Sequence, residues 1–191
     1  TLPDAAALGK SVKAAIAAGI PVVSMNSGSD DYASLGISAH VGQTEFEAGV
    51  GGGQKMKAAG GKKALCVNHE VGNVALDRRC AGFKKGFGGS VDILGTSNDP
   101  TEIQKAVAAK LGGGYDTILT LGAGLSGEAA LKALEAAGKV GNVKLGTFDM
   151  SPNMLKAAAA GKVEFLIDQQ QYLQGYLPIA IFAQYMRWGT M

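Results

Sequence analysis

At 191 residues the chain has room for one large domain or two small lobes, given about 100–200 residues per domain, which excludes a multidomain machine. Its 47% hydrophobic and 18% charged residues supply a packed core and exclude a disordered polymer. Eighteen Lys and Arg against 16 Asp and Glu leave a net charge of +2. The lysines are scattered and only 6% of residues are aromatic, so neither nucleic acid nor an anionic membrane surface is favoured as a partner.

An alanine-rich amphipathic helix is predicted from Ala5 to Ala18, stopped by Gly19 with Pro21 beyond it. A first strand follows at Pro21–Met25. An irregular stretch around Ser27-Gly28-Ser29-Asp30 and a short strand near Ile37–His40 lead to a helix at about Glu45–Ala59. The pattern then alternates strictly. Strands are predicted at Ala64–Asn68, Val91–Gly95, Thr117–Leu121, Lys144–Phe148 and Glu164–Asp168. Helices separate them at about Asn73–Phe87, Pro100–Leu111, Ser126–Ala137 and Pro152–Ala160, and a last helix covers about Leu173–Arg187. Asp99-Pro100-Thr101-Glu102 and Ser151-Pro152 place a capping side chain before a proline at the first helical position. Ile103, Val107 and Leu111, spaced by four, put one apolar face of their helix on a sheet.

Alternating short strands and helices predict an α/β fold, a doubly wound, Rossmann-like parallel sheet covered by helices on both faces. Residues 43–169 supply five strands, a complete lobe, whereas 1–42 and 170–191 supply only part of a second, similar lobe. A lone strand at Pro21–Met25 leaves backbone groups unpaired, so residues 1–42 are expected to pair with another chain or segment, or to dock on the complete lobe. The longest apolar runs, Ala14–Met25 and Leu177–Ala183, are too short to span a bilayer. No signal peptide is read in this chain, and its opening Thr-Leu-Pro-Asp suggests that something before it was removed.

Ligands of open parallel sheets bind outside the carboxyl ends of the strands. The residues there are Asn26 and Ser27, then His69, Glu70 and Asn73, then Asn98, the glycines after Leu121, Asp149, and Gln169 with Gln170. Arg79, early in the next helix, reaches the same edge. Amides with few charged groups, Glu70, Asp149 and one guanidinium, form donor–acceptor forks that suit a neutral, polyhydroxylated ligand. Singly, such residues are also ordinary turn and cap residues.

Gly122-Ala123-Gly124-Leu125-Ser126-Gly127 matches G-x-G-x-x-G after a strand, with Asp149 about twenty-five residues on, and so raises a nicotinamide-dependent alternative. The motif lies in the third βα unit of its lobe, whereas the dinucleotide fingerprint occupies the first. With two histidines, His40 and His69, and no G-x-S-x-G or H-E-x-x-H, no catalytic pair is recommended by spacing. Cys66 and Cys80 are compatible either with a disulfide across one βα unit or with two buried thiols. With His69 they make too few ligands for a zinc site.

Several segments carry a family resemblance: Leu2-Pro3-Asp4, Gly19-Ile20-Pro21-Val22-Val23, His40-Val41-Gly42-Gln43, Arg79-Cys80-Ala81-Gly82-Phe83, Gly146-Thr147-Phe148-Asp149 and Asp168-Gln169-Gln170-Gln171. In that order and spacing the chain resembles the periplasmic sugar-binding proteins of ABC importers, the ribose/galactose-binding group. The resemblance covers essentially the whole chain. It implies a periplasmic or extracellular, non-enzymatic solute-binding protein without a cofactor. Such a protein is a two-lobed clamp that closes on a monosaccharide or polyol and docks on a membrane permease. The sugar contacts it implies are Asn26, Asn73, Arg79, Asn98, Asp149 and Gln169, with hinge strands near Gln43 and near Gln169-Gln170.

Two departures bear on the ligand. Asn26-Ser27 stands where ribose-type members carry Asp-Arg, and Ala123 stands where an amide is expected, so a polyol or another pentose or hexose is left open. The resemblance also implies that the first strands and helices of the N-terminal lobe and the C-terminal strands lie outside this chain. Trp188 is expected to pack in the last helix. The effector-binding core of a LacI-type repressor shares the fold and is the other non-enzymatic alternative.

Overall fold

The computed structural model describes residues 1–189. The chain divides into two units, Thr1–Thr44 with the segment from Gln169 onward, and Glu45–Asp168.

The first unit holds α1 (Ala5–Ala17), β1 (Val23–Met25), β2 (Ala39–Val41) and α7 (Gln171–Trp188). The Asp4 carboxylate accepts from the amides of Ala6 and Ala7 and so starts α1. Pairing of β1 differs from expectation. Its partner is β2 of the same segment, parallel, with Val23 opposite Ala39 and Met25 opposite Val41. The short strand after the irregular stretch returns alongside β1 and meets the backbone groups of one of its two edges. Trp188 also departs from the expected packing role: it is 68% exposed, with the Arg187 guanidinium 5.0 Å from its ring centroid.

The second unit holds α2 (Glu45–Ala58), β3 (Lys63–Asn68), α3 (Val74–Phe87), β4 (Ser90–Gly95), α4 (Pro100–Lys110), β5 (Thr117–Thr120), α5 (Glu128–Ala136), β6 (Lys144–Phe148), α6 (Pro152–Ala159) and β7 (Phe165–Ile167). All five strands are parallel, in the order β4-β3-β5-β6-β7. This is the doubly wound arrangement whose strand order reverses between β3 and β5. Two apolar cores cover its faces. Ile103, Val107 and Leu111 of the α4 region lie in one with Leu65, Ile118 and Leu145, while Met56, Phe83, Phe87 and Phe148 lie in the other.

The helix starts follow the punctuation of the sequence. Asp99 caps α4 through the amides of Thr101 and Glu102, and Ser151 caps α6 through Met154 N, each with proline in the first turn. Glu102 does not reach back to close a capping box. It accepts from Ser97 Oγ at 2.5 Å.

Helices α2 and α3 meet backbone to backbone. A Cβ on Gly82 would lie 2.0 Å from Phe46 O, one on Gly86 2.0 Å from Val50 O, and one on Gly53 2.4 Å from Phe83 O. Glycines four apart on both helices, Gly49 with Gly53 and Gly82 with Gly86, therefore let the two axes approach closely. Cys66 of β3 and Cys80 of α3 form a disulfide, with Cα atoms 5.8 Å apart, and both residues are buried. The choice left open by the sequence is thereby settled in favour of the bond.

Candidate functional site

The carboxyl ends of β3, β5 and β6 bring together the residues that matter chemically in the second unit. The chain leaves β5 through Leu121 and Gly122 into a single π-helical turn, Ala123–Gly127, before α5 begins. The helix predicted from Ser126 therefore starts later, behind a turn in which the Gly122 carbonyl accepts from both Ser126 N (3.0 Å) and Gly127 N (2.8 Å). Such turns concentrate at functional sites, and this one sits where the strand order reverses.

Gly122 forms the floor. A Cβ there would lie 3.2 Å from His69 Cε1, 3.6 Å from His69 Nε2 and 3.8 Å from Asp149 Oδ2. Asp149 holds a left-handed backbone (φ 67°) directly after β6, with its amide bonded to Ile167 O at 2.9 Å. Non-glycine residues held there carry a backbone cost that clusters at ligand sites. The half-buried His69 imidazole sits below the usual histidine pKa: burial is the main cause, opposed by Glu70, reinforced by Arg79 and opposed by Asp149.

Arg79 meets a different environment from the one expected. Its guanidinium is buried and spans Glu45, with Nε–Oε2 at 2.5 Å and Nη2–Oε1 at 3.0 Å, while Nη1 donates to Leu121 O at 3.0 Å. The same group lies 4.5 Å from the Phe148 ring centroid. Three of its N–H groups are thus bound by a carboxylate and a carbonyl, which ties α3 to the end of β5 one residue before Gly122.

Asn73 serves as the N-cap of α3, its Oδ1 accepting from Ala75 N at 3.0 Å and its Nδ2 donating to Glu70 Oε2 at 3.1 Å. Asn98, in the loop after β4, is exposed. Its side chain has no hydrogen-bond partner among the described residues.

The remaining two expected residues lie in the first unit and share a partner. Asn26, also left-handed (φ 65°), donates from Nδ2 to Gln174 Oε1 at 3.2 Å. Gln174 in turn donates to Gln169 O at 2.6 Å, and Gln43 Nε2 donates to Gln169 Oε1 at 3.1 Å. The end of β1 and the start of α7 are thus joined by a chain of buried and half-buried amides.

Residues 1–190 match the periplasmic binding protein domain. The chain belongs to this family. Among solved structures, a carbohydrate transporter from Acidothermus cellulolyticus 11B in complex with myo-inositol superposes with a TM-score of 0.93 and 34% identity, over 99% of this chain and 66% of that one. An ABC sugar transporter (periplasmic sugar binding protein) from Legionella pneumophila gives 0.85 and 24%, over 99% of this chain and 72% of that one. An ABC transporter solute-binding protein from Bacillus halodurans C-125 with bound myo-inositol gives 0.79 and 22%, over 95% and 65%. The latter two likenesses show the fold. The chain thus spans about two thirds of the length of these structures. Comparison with curated proteins finds no match.

Among the described residues no helix is long and apolar enough to cross a membrane. His69, Ser126, Glu45 and Gln174 are the residues that sequence reasoning did not assign. His69 had a signal in its place immediately after a strand, and Ser126 in its place within the glycine motif.

Proposed function

We propose that this chain is the solute-binding component of an ABC importer, non-enzymatic, and that it takes a neutral monosaccharide or polyol. On this reading residues 43–169 are a complete C-terminal lobe and 1–42 with 170–191 are part of the N-terminal one. The observation that carries it is the 34% identity, over 99% of this chain, to a transporter protein in complex with myo-inositol. The chemistry of the sheet edge agrees. Asp149 and the uncharged His69 offer hydrogen-bond acceptors above Gly122, while the nearby cation is matched by Glu45. That combination favours hydroxyl groups over carboxylates or phosphates.

Asp149 is the contact with the strongest claim in the second unit. Asn98 has its amide available, Asn73 shapes the loop after β3, and Arg79 holds the edge in position. In the first unit Asn26 and Gln169 supply the amides of the Gln174 network. The protein is placed outside the cytoplasm, where the Cys66–Cys80 disulfide persists, and its macromolecular partner is a membrane permease.

A thermal-shift screen with myo-inositol, D-allose, ribose, xylose and NADH tests this reading. It predicts a raised melting temperature with one or more neutral sugars or polyols and none with NADH. A shift with NADH alone would overturn it.

A further inference from the structure

Ser126 lies in the π-helical turn between Gly122 and His69, and its hydroxyl has one proton to give. Ser126 Oγ is 3.0 Å from the Gly122 carbonyl, which can only accept, so the hydroxyl proton is directed there. The same Oγ is 3.3 Å from His69 Nδ1. With its proton directed to Gly122, whose carbonyl also takes two backbone amides, the hydroxyl accepts in this second contact, which matches the tautomer with the hydrogen on Nδ1. The lone pair of the neutral ring is then on Nε2. That atom has no protein hydrogen-bond partner and is not among the fully buried polar atoms of the described residues.

Nε2 and Asp149 Oδ2 lie 3.6 and 3.8 Å from one point over Gly122, where a Cβ would press on the imidazole at 3.2 Å. Two acceptors over an open floor at the strand-order reversal call for a ligand that brings donors. A carboxylate brings none at neutral pH and a phosphate adds negative charge beside the Asp149 carboxylate, whereas neighbouring hydroxyls bring two donors without charge.

We propose that His69 is a hydroxyl-recognising residue of this site: with its proton held on Nδ1 by Ser126, its Nε2 accepts from one hydroxyl of the ligand while Asp149 accepts from a neighbouring one. This rests on the sugar-or-polyol reading above and names the group that selects uncharged polyhydroxy ligands within it. The charged groups facing the ring are Glu70 from its own loop, Arg79 from α3 and Asp149 from the end of β6. Of these, Arg79 is ion-paired with Glu45.

The test is calorimetric titration of the wild type, His69→Phe and His69→Gln with myo-inositol and with its mono-deoxy derivatives, beside 15N spectra of the imidazole. His69→Phe is expected to weaken myo-inositol binding about tenfold or more, and His69→Gln, which returns an oxygen acceptor near the Nε2 position, to recover part of it. One deoxy derivative should bind the wild type about tenfold more weakly than myo-inositol and bind His69→Phe with no further loss. The 15N spectra should show Nδ1 protonated and Nε2 bare.

Additive losses for every deoxy derivative, or a proton on Nε2, would overturn the assignment. Unchanged binding by His69→Phe would overturn it while leaving the sugar-or-polyol reading in place. Failure of the wild type to bind any neutral sugar or polyol would overturn that reading and this assignment together.

Discussion

Glu45, the first residue of α2, grips Arg79 of α3 through two parallel hydrogen bonds, Nε–Oε2 at 2.5 Å and Nη2–Oε1 at 3.0 Å, and both side chains are buried. A third bond from Nη1 to Leu121 O carries this pair to the end of β5, one residue before Gly122. The ion pair therefore links helix packing to the geometry of the sheet edge.

Removing one partner leaves the other charged and buried. Arg79→Met or Glu45→Gln is expected to destabilise the fold by about 3–5 kcal/mol, and Arg79→Met combined with Glu45→Leu to restore most of that loss. Urea denaturation of the three variants measures the cycle. Additive single losses would show that the two groups do not act as a pair.

The glycine contact between α2 and α3 makes a sharper stability prediction. Alanine at Gly82 puts a methyl carbon 2.0 Å from a backbone oxygen, which no side-chain rotation relieves. Gly82→Ala should cost more than the about 1–3 kcal/mol of ordinary overpacking and should displace Arg79 from Glu45 as the helices part. Gly51→Ala, on the same α2 helix with nothing within 4 Å of its Cβ, is the control and should be neutral or slightly stabilising. Equal melting temperatures for the two variants would contradict the close approach.

The disulfide closes a loop with a sequence separation of 14 between β3 and α3, the elements that carry His69 and Arg79. Chain-entropy arguments give about 3 kcal/mol for a loop of that size, or roughly 6–12 °C in melting temperature for a chain of this length. Reduction, or Cys66→Ala with Cys80→Ala, should lower the melting temperature by that amount. No change under reducing conditions would contradict a formed bond.

The lowered pKa of His69 sets a pH dependence whose sign follows from linkage. In the folded chain the imidazole binds a proton less readily than in the unfolded chain. The stability it contributes is complete above the ordinary histidine value of 6.5 and is lost as pH falls below it toward the depressed folded value. Comparing wild type and His69→Gln by denaturation between pH 5 and 8 should show a steeper acid loss in the wild type. An identical pH profile for the two would contradict burial as the main cause of the shift.

Much of the fold was legible because its signals are local. Asp99-Pro100 and Ser151-Pro152 mark helix starts through side chains two or three residues from the amides they cap, and Ile103, Val107 and Leu111 state which face is buried. The strand ends were legible too, and with them Asp149 and the region of His69. Contacts between distant segments were not. Glu45 lies 34 residues from Arg79, and nothing near Arg79 announces a carboxylate, so their ion pair could not be read. The Gly49/Gly53 and Gly82/Gly86 spacing was on the page of the sequence, yet its meaning depends on two helices facing each other. The π-helical turn was hidden because Gly122–Gly127 satisfies a dinucleotide-binding pattern and a helix start equally well. For β1, the partner was a three-residue strand whose pairing no periodicity reveals.

The central claim is that a neutral polyol binds at the carboxyl edge of the Glu45–Asp168 sheet. An amide NMR titration of the chain with myo-inositol tests it most directly. The account predicts saturable shifts centred on His69, Gly122, Ala123 and Asp149, with the distant turn at Gly112–Gly114 unmoved. Saturable shifts centred on another face, or none with any neutral sugar or polyol, would contradict it.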